Sequence, residues 1–199
     1  LMSVRKLPAA AIAMAITLLF TQSALAHVGD HATGGFASGF THPLFGWDHV
    51  VAMIAVGLWA GVLGRPAIWI LPIVFPLLVV AGAALGLMGV PLPAVETGIA
   101  SSALILGLLI VFMAKPPLWV AGILVGAFAI FHGHAHGTEL PDAASPFTYA
   151  IGFVLATLLL HGIGIGVGSL NRLPVGETLI RISGGVISAI GAAFLFGIA

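Results

Sequence analysis

AIWILPIVFPLLVVAGAALGLM, residues 67–88, is a run of twenty-two residues without one charged side chain, and its reading decides the fold class. About 20 apolar residues in a helix cross a hydrocarbon core ~30 Å thick. The run is closed by Gly64-Arg65-Pro66 on one side and Gly89-Val90-Pro91-Leu92-Pro93 on the other. Comparable runs between breakers recur along the chain and predict six membrane spans. They cover about Pro43–Leu63, Ala67–Met88, Ala94–Ala114, Leu118–His136, Phe147–Leu170 and Glu177–Ile198. No stretch alternates apolar and polar residues as the strands of a membrane barrel do. The expected fold is all-α, a polytopic membrane protein with six transmembrane helices.

Composition agrees. The 199 residues are 60% hydrophobic and only 6% charged, against about 25% charged in a soluble domain. The mean hydropathy is +1.23. Six Lys+Arg and six Asp+Glu cannot solvate a globule of this size, which excludes a soluble enzyme. Nucleic acid is excluded as a partner too, because its binders carry a basic footprint. With no cysteine, neither a disulfide framework nor a thiolate metal site can form. The eight histidines outnumber either sign of fixed charge.

Ahead of the first span, Arg5 and Lys6 precede an apolar stretch from Leu7 to Phe20, and Ala24-Leu25-Ala26 follows. That order of charged region, apolar region and small-residue cleavage site reads as a secretory signal peptide over 1–26. The mature six-helix transmembrane domain is then 27–199, starting at His27 outside the cytoplasm. An uncleaved first helix would leave His27 on the same side. The connections expected on the cytoplasmic side hold Arg65, Lys115, Arg172 and Arg181, the four cations of the mature chain. The outer connections hold Glu96, Glu139 and Asp142 and no cation. This satisfies the positive-inside rule. The expected location is a bacterial inner membrane, with both mature termini periplasmic.

Small residues four apart let helix backbones approach closely. Gly57/Gly61, Gly82/Gly86, Gly122/Gly126, Gly162/Gly166 and Gly164/Gly168 are such pairs. They fit packing within one bundle and leave a homo-oligomer open.

Ionisable groups inside a membrane are costly and mark function. If a helix begins at Pro43, which suits a first turn, His42 and His49 are seven apart and share a face, with Met53 one turn further on. Asp48 beside them either ligates or holds an imidazole in the required tautomer. His132 and His136 are four apart on one helical face, with His134 roughly opposite, and Glu139 follows three residues later. Both groups are expected at the outer membrane face. Imidazole with carboxylate and no thiolate suits Ni(II), Co(II) or Zn(II). His161 is expected ~21 Å along its span at 1.5 Å per residue, as an inner transit site, a proton acceptor or a partner of a neighbouring helix. His27 and His31 belong to an N-terminal arm that catches metal or simply moves. Glu96 sits at a helix start, where the dipole favours it.

The stretch His42-Pro43-x-x-Gly46-x-Asp48-His49 with Met53, and the stretch Phe131-His132-Gly133-x-Ala135-His136-Gly137-x-Glu139-x-Pro141, resemble the two signatures of the HupE/UreJ family. The signal peptide, six spans and His-bearing N-terminus resemble it too. The resemblance implies a nickel or cobalt permease associated with hydrogenase and urease. It implies that His42, Asp48, His49, His132, His136 and Glu139 handle the metal. His134 falls at a variable position of the second signature.

The expected function is uptake of a divalent transition metal, nickel first and cobalt second, without a permanent cofactor and without enzymatic activity. The bilayer is its setting, and the link to nickel-enzyme maturation is indirect. Two other classes would also place His on several helices: a metal-dependent intramembrane hydrolase, and a haem-bearing redox subunit, which would need neither Asp48 nor Glu139.

Overall fold

The computed structural model describes residues 35–139 and 145–198. The expected signal peptide over 1–26, His27, His31 and Asp142 lie outside the described residues. Among the described residues seven α-helices run in chain order: α1 Phe36–Phe45, α2 Trp47–Leu63, α3 Ala67–Leu87, α4 Val95–Val111, α5 Leu118–Thr138, α6 Pro146–Gly168 and α7 Gly176–Leu195. A 3₁₀ turn, Ser169–Arg172, extends α6, and no strand occurs among the described residues. The protein is an all-helical, multi-pass membrane protein. Four of its helices (α3, α5, α6 with its extension, and α7) have the length and composition to cross a bilayer. The bent pair α1–α2 makes a fifth if counted as one span, and α4 is apolar but 17 residues long.

The start of the first span differs from expectation. It is not one helix from Pro43: the chain breaks at Gly46, and α1 and α2 meet at 83°. Gly46 has φ −83° and ψ 106°, which is extended rather than helical. Its N–H closes α1 on the His42 carbonyl at 3.2 Å, and its carbonyl receives the Val50 N–H at 2.9 Å to begin α2. One residue thus ends one helix and opens the next. Pro43 lies buried inside α1 and not in a first turn. The other helix ends fall within three residues of the expected boundaries.

Glycines set which helices touch. A side-chain carbon at Gly57 would meet the His161 carbonyl, and one at Gly164 or Gly168 would meet backbone of α2. Gly82, Gly86, Gly133 and Gly137 join α3 to α5 in the same way, Gly107, Gly184 and Gly191 join α4 to α7, and Gly39 and Gly152 join α1 to α6. Gly122, Gly162 and Gly166 have nothing within 4 Å, so the expected pair Gly162/Gly166 makes no contact in the bundle. Two neighbouring positions therefore give opposite results. Gly164→Ala is expected to cost about 1–3 kcal/mol by overpacking, and Gly162→Ala is expected to be neutral. Unfolding of the two purified variants in detergent, compared with wild type, checks this contrast.

The α2–α3, α4–α5 and α6–α7 connections gather at one end of the bundle. There Trp59 Nε1–H donates to the Ala114 carbonyl at 3.0 Å, and Arg181 donates to the Val111 carbonyl while bonding Glu177 at 2.8 Å. Arg65, Lys115, Arg172 and Arg181 all belong to this end. Large aromatics are exposed at both ends, Trp69 and Trp119 at this one, Trp47 and Phe147 at the other. Amphipathic rings favour such membrane–water boundaries.

Candidate metal centre

The other end of the bundle collects the histidines. α1 supplies His42, α2 supplies Asp48 and His49, and α5 supplies His132 and His136. One nitrogen from each of His42, His49 and His136 lies within 4.8 Å of the others. The ring of His136 stands 4.8 Å from that of His42 and 4.5 Å from that of His49, and His132 stands 5.4 Å from His49. His132 and His136 reach the cluster together because four residues are about one helical turn. His42 and His49 meet for a different reason than expected. They do not share a helical face; the bend at Gly46 carries His42 on its own helix back against His49, 5.7 Å away.

The cluster is dry. His132 is fully buried, and His49 and His136 are nearly so. Both ring nitrogens of His136, Nε2 of His49 and Nδ1 of His132 are buried without a hydrogen-bond partner. Buried polar atoms are nearly always paired, so each such atom calls for an explanation. Asp48 lies at the edge with its side chain 31% exposed, and its Oδ1 is 2.7 Å from His49 Nδ1. A carboxylate there keeps Nε2 as the nitrogen that faces a ligand, as outer carboxylates do for metal-binding histidines. The walls are aromatic: Phe153 is 4.5 Å from His136, Tyr149 is 6.2 Å from His42 and Phe75 is 5.9 Å from His132. A cleft of about 280 Å³ between α3 and α6, walled by Val79, Ala83, Phe147 and Phe153, also borders His136.

His134 stands apart from the group, as its rotation on the helix requires. Its Nε2–H donates to the Val90 carbonyl at 2.7 Å, tying α5 to the α3–α4 connection. His134→Ala is expected to lose about 0.5–1.5 kcal/mol of stability with that bond. Its metal binding should change less than that of His132→Ala or His136→Ala. Calorimetric titration with nickel of the three purified variants tests the ranking.

The carboxylates expected near the site divide. Asp48 is in contact with it. Glu139 is exposed at the C-cap of α5, and Glu96 is exposed in the first turn of α4, so neither belongs to the three-histidine group. Deeper in the bundle, Met53 is fully buried and its sulfur accepts from Thr157 Oγ1–H at 3.4 Å. One turn beyond Thr157, His161 is fully buried with both ring nitrogens unpartnered, and the Phe75 ring stands 5.2 Å from it. Phe75 thus touches both His132 and His161. Sequence reasoning missed Phe75 and Ser102. The first is one apolar residue among many, while the pair Ser101-Ser102 in an apolar span was a readable signal.

A family model described as HupE / UreJ protein matches residues 14–194. The curated Protein HupE of Rhizobium leguminosarum bv. viciae is 48% identical over 172 residues, covering 86% of this chain and 90% of that protein. No solved structure matches.

Proposed function

The chain belongs to the HupE/UreJ family, and on that premise we propose that it is an inner-membrane permease that takes up a divalent transition metal, nickel first and cobalt second. The single observation that carries this reading is the meeting of His42, His49 and His136, from three helices, within 4.8 Å. Imidazole nitrogens without thiolate suit Ni(II) and Co(II). The buried, unpartnered Nε2 of His49 and ring nitrogens of His136 are what an arriving cation would satisfy.

The ion exchanges part of its water shell for the three imidazoles, and the Asp48 carboxylate offsets its charge. Glu139 and Glu96, exposed toward the outer face, draw cations to the entrance, and His27 and His31 would serve the same end. Three neutral ligands and one edge carboxylate do not form a closed cage, so the ion can leave again, as conduction requires. Met53 and His161 continue the path inward, the latter as an inner station. Six spans with both mature termini outside put the four cations in the cytoplasm, where the positive-inside rule expects them. The protein would supply metal for nickel-enzyme maturation without itself catalysing a reaction.

Uptake of labelled nickel, cobalt and zinc by cells with and without the gene tests the reading. Gene-dependent accumulation of nickel above cobalt and zinc is the expected result. Equal accumulation in both strains would overturn it.

A further inference from the structure

His132 shares a side-chain hydrogen bond with a residue of another helix. Its Nε2 lies 3.0 Å from Ser102 Oγ, and both residues are fully buried. The same hydroxyl donates to the Ile99 carbonyl at 2.6 Å. A serine hydroxyl has one proton, and a carbonyl has none to offer. Two oxygens at 2.6 Å without a proton between them would repel, so the serine proton belongs to Ile99. Ser102 Oγ is then left only lone pairs for His132, and Nε2 must carry the proton that joins them. A neutral imidazole has one N–H and one lone pair, so the lone pair falls on Nδ1. That atom is buried and meets no protein donor.

We propose that Ser102 is a positioning residue for metal transfer: it locks His132 as the Nε2–H tautomer and presents Nδ1 as a further ligand beside the three-histidine group. The inference rests on the permease reading above. It assigns His132, which stands outside the group of three and 5.4 Å from His49, to the next step of the ion along the path. Phe75, with its ring 5.9 Å from His132 and 5.2 Å from His161, links the two. Without the hydroxyl the ring can exchange tautomers or turn over, and the lone pair is no longer held in one place.

The test uses the full chain in lipid nanodiscs, with nickel(II) alone as probe. The nitrogen resonances of His132, assigned by their loss in His132→Gln, report the tautomer directly in ¹⁵N-histidine-labelled wild type. A proton on Nε2 and an Nδ1 resonance that shifts or broadens on adding nickel are expected. A proton on Nδ1 would overturn the proposal. Ser102→Ala is expected to weaken nickel binding by about 10–100-fold, as loss of an outer-shell partner does. Ser102→Thr, which keeps the hydroxyl, should restore most of it. Unchanged nickel affinity and tautomer in Ser102→Ala would overturn the role. Should that variant fail to fold, the wild-type resonances decide alone. Should wild type bind no nickel while His132 carries its proton on Nε2, the permease reading fails and the ligand role of Nδ1 with it. The tautomer lock would then stand as a structural fact.

Discussion

His136→Ala is expected to abolish uptake of labelled nickel at limiting concentration. The residue sits at the centre of the cluster, with its ring 4.8 Å from His42 and 4.5 Å from His49. Its removal leaves two imidazoles where three converge. The loss in metal affinity should exceed the ~10–100-fold that follows removal of an outer-shell partner. Stability should move differently. Both nitrogens of His136 are buried without a partner, and such atoms are a burden on the empty protein. The alanine variant is therefore expected to accumulate in the membrane at wild-type level while transporting nothing, the trade expected of a site held ready for its ligand. Immunodetection alongside initial uptake rates separates the two quantities. A variant that accumulates and still takes up limiting nickel at the wild-type rate would remove His136 from the ion's path.

Asp48→Asn is the second large effect, and it isolates charge from shape. Asparagine can still accept a hydrogen bond from His49 Nδ1–H, so the tautomer of His49 survives. What disappears is the negative charge now 2.7 Å from the ring. A divalent ion held by neutral imidazoles keeps its full charge, and in a low-dielectric site an adjacent carboxylate offsets it strongly. The variant is expected to bind nickel about 10–100-fold more weakly and to show uptake only at raised nickel. Asp48→Glu retains the charge but shifts it by one methylene, and should recover part of the activity. Wild-type uptake at limiting nickel by a well-expressed Asp48→Asn protein would show that the carboxylate has no share in handling the ion.

The helix 67–87 was legible because hydropathy and breakers are local: Ala67 follows a Gly-Arg-Pro stop, and no charge interrupts the run. His132 and His136 were legible as a pair because their relation lies within one helix. The off-face position of His134 followed from the same geometry, and its bond to Val90 shows what occupies it. The relation of His42 to His49 was legible only by proximity in sequence. A continuous helix and a break at Gly46 both bring them near one another, and no local signal told the two apart.

Sequence alone was enough for the class of the molecule, an all-helical membrane protein, and for naming candidate ligands in it. It also determined that the two histidine groups belong to one end. These follow from side-chain transfer energies and from helical periodicity, both of which act over a few residues. The tertiary structure alone decided which helices meet, because that depends on surfaces far apart in the chain: Gly57 against the His161 backbone, Gly133 against that of Val79. It alone put Ser102 on His132 and Phe75 between His132 and His161. It also kept Glu139 out of the three-histidine group, at the exposed end of α5. A side chain's partners across a bundle are set by the close approach of two backbones, and no spacing within one helix encodes that approach.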